Sequence, residues 1–341
     1  MSRYALLVAP SANRVYQLDA PRLLAAELEI ICAARGVAIG GVAVEQISGV
    51  DYIGFDADHQ EGAVASLVAV SSAPYALFAR EGELLRPVAL PAWAHFHDDL
   101  ISIPKYTGKT NEQFTTLLLN ITLAAGSRQQ LLTAGRGRVL DPVCGRGTTL
   151  SIATLRGLDA IGVDVDRKDV EAYSTFLKTW ARTHRLPHKH TFAPVRRNKR
   201  TVAERLDVEL YADRAAQKQG AGQHLAVIVA DTTAASQYVR EASVDAIVGD
   251  LPYGVTHGSH RGHDLDRRAD DLLASALPTW AALLRPGAAI GLSFNTHTLK
   301  RAVVEDVYRS AGLQVADYGE AFAHRVDASI HRDLVVAVRP R

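Results

Sequence analysis

The chain has 341 residues, 48% of them hydrophobic and 22% charged. That is enough apolar material for a sizeable core and for two domains, and it excludes a disordered chain. The formal net charge of +1 excludes a uniformly basic nucleic-acid coat, so contact with RNA has to come from local patches. Two cysteines, Cys32 and Cys144, exclude a disulfide framework and a cysteine-based metal cluster. With no secretory h-region and no apolar run of 18 residues, the expectation is a soluble, cytoplasmic protein with no membrane partner.

Residues 1–98 form a first unit. A strand is expected over 4–8, and Asp19-Ala20-Pro21 opens a helix whose Leu23, Leu24, Leu28, Ile31 and Cys32 share a face until Gly36. Cys32 is therefore core. A strand over 50–55, a helix over 62–70 and strands over 75–78 and 84–88 complete a small α/β layer, for which a ferredoxin-like topology and an RNA-binding role are candidates. There is no internal repeat and no low-complexity segment.

Residues 90–105 carry Pro91 and Pro104 and the polar group His95, His97, Asp98 and Asp99. This reads as a linker with a polar surface. A metal reading is set aside because ligands two and three apart in one loop need others converging from elsewhere; no metal is expected. Lys109, Thr110 and Asn111 precede the next helix and either cap it or face a ligand.

The stretch 138–157, RVLDPVCGRGTTLSIATLRG, organises the remainder. Val139 and Leu140 close a buried strand, Asp141 and Pro142 end it, Gly145 and Gly147 form a turn, and 148–155 is a helix stopped by Gly157. Glycines without a Cβ admit a ligand, and the helix N-terminus offers unpaired N–H groups. A second strand over 161–164 ends in Asp164, placed to accept ribose hydroxyls, and Asp166 caps a helix with a core stripe of Val170, Tyr173, Phe176, Leu177 and Trp180. The insertion 182–200 is basic and histidine-rich. Its Arg196, Arg197, Lys199 and Arg200 are the candidate phosphate contacts, against the alternative of a solvated loop.

A third strand over 226–231 ends in Asp231, and a fourth over 244–250 runs into Asp250-Leu251-Pro252-Tyr253-Gly254. The polar stretch 256–268 is expected at the mouth of the site. A helix over 269–284, a break at 285–287, a strand over 288–294 and a closing pair near 313–318 and 334–338 follow.

Four acid-ended strands with L-P-Y after the last resemble the class I S-adenosylmethionine-dependent methyltransferases that modify exocyclic amines of nucleobases, from about residue 102 to the C-terminus. Within them the chain is most similar to the THUMP-associated tRNA guanosine N2-methyltransferases. Their D-P-x-C-G-x-G-T turn stands here at 141–148, their D-P-P-Y-G loop at 250–254 with Leu251 in place of the first proline, and their helix entry at 105–120.

The resemblance implies a Rossmann-like domain over 99–341 with the basic insertion 182–200, and an antiparallel seventh strand. It implies S-adenosyl-L-methionine as cofactor, held by Thr110, Asn111, Asp141, Gly145, Gly147, Asp164, Asp231 and Asp250, with Asp231 accepting from the adenine amine. It implies Asp250, Leu251, Pro252 and Tyr253 as the catalytic loop, and RNA, in particular tRNA, as partner. In that family an N-terminal ferredoxin-like unit is followed by a THUMP domain, and there is no room here for both at full length, which sets this chain apart.

An exocyclic amine is a poor nucleophile because its lone pair is delocalised into the ring. Asp250 and the Leu251 carbonyl each accept one N–H and localise that pair, Pro252 fixes φ, and Tyr253 gives a stacking face worth ~1–3 kcal/mol. The expected function is N2-methylation of guanosine. A DNA adenine-N6 or cytosine-N4 methyltransferase and a non-catalytic, cofactor-dependent RNA-binding module are the alternatives.

Overall fold

The computed structural model describes residues 2–106, 108–252 and 262–341, with 262–268 in backbone only. Its first unit contains β1 (Ser2–Val8), α1 (Arg14–Ala34), β2 (Ile39–Ile47), β3 (Val50–Ala57), α2 (Glu61–Val70), β4 (Pro74–Glu81) and β5 (Leu84–Val88). The sheet is antiparallel in the order β2-β3-β1-β4-β5. Its first six elements are the β-α-β-β-α-β succession of the ferredoxin-like fold, with β5 added at one edge. The helix α1 starts earlier than the proline at 21 suggests. The Asn13 side chain accepts from the N–H groups of Val15 and Tyr16 at 2.9 and 3.1 Å, and this cap fixes the start, leaving Pro21 inside the helix.

The second unit runs α3 (Asp99–Ser102), α4 (Glu112–Ala125), β6 (Arg138–Asp141), α5 (Thr148–Leu155), β7 (Asp159–Asp164), α6 (Arg167–Thr183), β8 (His188–Arg197) and β9 (Arg200–Leu210). It continues with α7 (Arg214–Lys218), β10 (Gln223–Val229), β11 (Val244–Asp250), α8 (Gly262–Leu283) and β12 (Leu284–Asn295). Then come α9 (Arg301–Ser310), β13 (Gln314–Val315), β14 (His324–Arg325) and β15 (His331–Val338). The sheet order is β13-β15-β12-β11-β6-β7-β10-β9-β8. Strands β10, β7, β6, β11 and β12 are parallel, and β15 is antiparallel to β12. The direction of winding reverses between β6 and β11, and a crevice opens at the carboxyl ends of strands at such a switch point. Burial along nearly all of β11 fits a central parallel strand covered on both faces.

The basic insertion is not a loop. It is a β-hairpin, β8 and β9, closed by Asn198 and Lys199 at φ +48° and +64°, a two-residue turn of the kind that matches strand twist. The alternation of buried Leu206, Val208 and Leu210 with more exposed neighbours is the period of a strand, and β9 pairs antiparallel with β10 from Leu210 to Glu204. Because Glu204 already pairs with Val229 at the end of β10, the tip at 197–200 projects past the carboxyl edge of the sheet.

The two units share a buried seam. Glu27 of α1 accepts from Asn120 of α4 and from the Ser72 N–H at 3.1 Å, and burial pushes its carboxyl up from the ordinary value. Arg156, after α5, donates to the Val70 carbonyl and lies 5.4 Å over the Trp93 ring. His324 packs between Tyr16 and Phe114, and burial lowers its imidazole to about 4, so it is neutral there.

Candidate active site

Strand β6 delivers Asp141 into the crevice almost fully buried, with Oδ1 accepting the Val143 N–H at 3.1 Å. Burial pushes its carboxyl up to about 7. The turn that follows uses its two glycines differently. At Gly147, φ +77°, an added Cβ would lie 2.4 Å from the Tyr173 ring, so this glycine makes room for a tyrosine whose hydroxyl is 2.9 Å from that of Ser151. At Gly145, φ +48°, a Cβ would meet nothing within 4 Å. Of the two glycines expected to admit a ligand, Gly145 is the one with open space where a Cβ would stand. Its N–H donates to Asp164 Oδ2 at 2.6 Å, tying the turn to the end of β7.

Asp250 ends β11 beside this turn. Oδ2 accepts from the Thr110 hydroxyl at 2.6 Å and from Arg332 Nη2 at 3.3 Å, and Oδ1 accepts from the Ser293 hydroxyl at 2.5 Å. Arg332 is buried and lies 4.7 Å from the Phe114 ring centroid. Leu251 buries its side chain and donates its N–H to the Ser293 carbonyl at 2.9 Å. A proline there would have no N–H for that bond. Pro252 is exposed at the cavity. Tyr253 and residues 254–261 lie outside the described residues.

A cavity of about 620 Å³ is lined by Thr110, Phe114, Asp141, Gly145, Asp250 and Ser293, among others. That is within the usual span of about 300–1,000 Å³ for a small-molecule site. Its rim is braced by Arg146, which donates to Asp169 at 2.7 Å and sits 5.0 Å over the Tyr106 ring, and by the Tyr106 hydroxyl 3.0 Å from Thr148 Oγ1.

Other sequence candidates are not among the residues that line this cavity. Asn111 caps α4 through the Gln113 and Phe114 N–H groups at 2.8 and 3.2 Å and donates to Ser11 at 3.0 Å, so of its two roles the structure shows the cap. Lys109 ties the preceding loop by donating to the Ile101 and Pro104 carbonyls at 2.7 and 2.8 Å. Asp164 accepts the Asp166 N–H at 2.8 Å besides that of Gly145, and burial raises its carboxyl. Asp231, just past β10, accepts from the Thr233 N–H at 2.8 Å and hydroxyl at 2.7 Å, and these bonds hold its carboxyl low. At the hairpin tip Arg196, Lys199 and Arg200 are exposed, and Arg197 is turned onto the Tyr238 ring at 5.5 Å.

Residues 113–289, from α4 into β12, match the family UPF0020, RMKL-like methyltransferase domain. The chain belongs to this family. The matched span carries the glycine turn, the acid-ended strands and the Asp250 loop, and with the sheet order above it makes this a class I methyltransferase whose cofactor is S-adenosyl-L-methionine. No curated protein matches the chain by sequence.

Among solved structures the methyltransferase is similar to TrmN from Thermus thermophilus, at 16% identity and a TM-score of 0.42 over 87% of this chain. It spans 59% of that protein's length. It is also similar to a TehB-like S-adenosylmethionine-dependent methyltransferase from Corynebacterium glutamicum (17% identity, TM-score 0.34, 62% of this chain and 86% of that one). A third is an rRNA methylase from Streptococcus thermophilus (13%, 0.33, 60% and 88%).

The residues present fit the cofactor. The open Cβ position of Gly145 is a cradle at the N-terminal end of α5, and Asp141 supplies an acid to the same cavity. Sequence reasoning missed Ser293 and Arg332. The available signals were a hydroxyl inside an apolar strand and an Arg332-Asp333 pair at the start of another. Among the described residues no helix is long and apolar enough to cross a membrane.

Proposed function

We propose that this methyltransferase modifies the N2 amine of a guanosine in RNA, with tRNA as the substrate class. The observation that carries the reading is Asp250: it closes a parallel strand, lines the same cavity as the glycine turn, and opens the Asp250-Leu251-Pro252-Tyr253 sequence.

When bound, S-adenosyl-L-methionine supplies a methyl group on a sulfonium. The Asp250 carboxylate and the Leu251 carbonyl accept the two N–H groups of the amine and aim its lone pair. Thr110, Ser293 and Arg332 fix the carboxylate in one orientation, and Pro252 limits the loop. Tyr253 provides the stacking face for a base turned out of its helix. Asp141, Gly145 and Thr110 hold the methionine end of the cofactor; Asp164 and Asp231 serve its ribose and adenine. The exposed cations of the hairpin tip, on the same carboxyl edge, track RNA phosphates, and residues 1–98 contribute a second RNA surface.

The test is labelled-methyl transfer by the wild type and Asp250→Ala, run beside RNA and cofactor binding. Loss of transfer by at least about a hundredfold with RNA affinity kept within about threefold supports the reading. Full transfer by the variant, or RNA binding by a wild type that never transfers, contradicts it.

A further inference from the structure

The polar linker group of His95, His97, Asp98 and Asp99 lacks, in sequence, a ligand converging from elsewhere. The fold supplies one. His184, the residue that closes α6, meets Asp99 from 85 positions away, with Nε2 2.9 Å from Oδ2. His97 Nδ1 is 3.1 Å from Asp99 Oδ1. One ligand atom each from His97, Asp99 and His184 lies within 4.8 Å of the other two.

We propose that His97, Asp99 and His184 form a binding site for a divalent cation of the zinc class, clamping the linker between the two units onto α6. Two imidazole nitrogens and a carboxylate are the donor set such an ion prefers. Metal–ligand bonds of about 2.0–2.1 Å in a tetrahedron place ligand atoms about 3.3 Å apart. Here His184 stands 2.9 Å from Asp99 Oδ2 and His97 3.1 Å from Asp99 Oδ1, one imidazole at each carboxylate oxygen, so binding through a single oxygen draws the side chains in from the 4.8 Å spread. The two imidazole rings stack at 5.2 Å with 29° between their planes. Asp99 is oriented from behind by the Trp180 indole N–H, 2.7 Å from Oδ1, the supporting hydrogen bond that ligating carboxylates usually have.

At His97, Nδ1 lies 3.2 Å from both the Asp99 N–H nitrogen and Asp98 Oδ1. Coordination takes the one lone pair of Nδ1 from the long Asp99 N–H bond to the cation, and Asp98 or a water completes the set of four. His95 is not part of the site: its ring fills the space over Gly157. The cluster is absent from the lining of the cofactor cavity, so its role is to hold the linker.

The full chain, stripped with a chelator, is titrated with Zn2+ by calorimetry and melted with and without the metal. The proposal expects one site per chain and a rise in melting temperature. His97→Ala, at a side chain more than half exposed, His184→Gln and the shape-preserving Asp99→Asn should each weaken affinity at least about tenfold and abolish the rise. Co2+ in place of Zn2+ should give a tetrahedral visible spectrum in the wild type alone. Equal Zn2+ affinity and equal melting shift in the wild type and the His97→Ala/His184→Gln variant would overturn the site and reduce the cluster to hydrogen bonding.

Discussion

Arg332 of β15 reaches past β12 to Asp250 at the end of β11, its Nη2 3.3 Å from Oδ2, while its guanidinium rests 4.7 Å from the Phe114 ring of α4. The antiparallel last strand thus does more than complete the sheet. It carries a cation to the residue proposed to orient the acceptor amine, and α4 holds that cation from the other side.

Replacing Arg332 with leucine keeps bulk over Phe114 and removes the charge from Asp250. Transfer should fall about 10–100-fold, a loss of about 1.4–2.7 kcal/mol of barrier stabilisation, with cofactor affinity changed less than about threefold. Stability should drop by about 1–3 kcal/mol. Turnover, cofactor binding and urea unfolding read the three effects; unchanged turnover would remove Arg332 from the positioning of Asp250.

The two turn glycines predict opposite phenotypes. Gly147→Ala drives a Cβ to 2.4 Å from the Tyr173 ring at φ +77°, so unfolding should become easier by about 2 kcal/mol or more. Gly145→Ala meets no neighbour within 4 Å and should cost about 1 kcal/mol of stability for its backbone alone. Its methyl enters the space proposed for the cofactor, and cofactor affinity should fall at least about tenfold. Denaturation and cofactor titration on both variants check the contrast.

Asp141 links the site to pH. Its carboxyl is raised by burial from 3.8 to about 7, so between those values the folded chain keeps a proton that the unfolded chain has lost. Its contribution to stability therefore declines as pH rises through that window and is flat above it. A cationic cofactor favours the ionised acid. Affinity should rise between about pH 5.5 and about pH 7.5, by up to about tenfold per unit, and level off above. Asp141→Asn should flatten the profile; an unchanged profile would place the titrating group elsewhere.

The hairpin tip predicts a salt effect. Changing Arg196, Lys199 and Arg200 together to alanine should lower the slope of log affinity against log salt by roughly 0.7–0.9 for each lost phosphate contact. Turnover at saturating RNA should stay near the wild-type value. Arg197 is kept because it braces Tyr238. Binding curves at several salt concentrations decide, and an unaltered slope would make the tip a solvated turn.

The glycine turn, the acid-ended strands and their order are legible in sequence because each is a local run with its own period and stop signal. Most of the ferredoxin-like unit is legible for the same reason, but β2 is not: it is an edge strand that opens on Ile39, Gly40 and Gly41 and has no buried residue. The hairpin was hidden because its turn, Asn198-Lys199, lacks the usual glycine and its charge masks the alternation at Leu206, Val208 and Leu210. Arg332, Ser293 and His184 were hidden for another reason. Their partners Asp250 and Asp99 lie 82, 43 and 85 positions away, and only the sheet order and the packing of α6 bring them together.

The central claim is transfer of a methyl group to a guanosine amine in RNA. It is tested most directly by incubating the protein with labelled S-adenosyl-L-methionine and unmodified tRNA, bulk rRNA or DNA, then digesting each and identifying the labelled nucleoside by mass. Label as N2-methylguanosine from tRNA is the predicted result. Label confined to DNA, or on a carbon or a ribose oxygen, would contradict it.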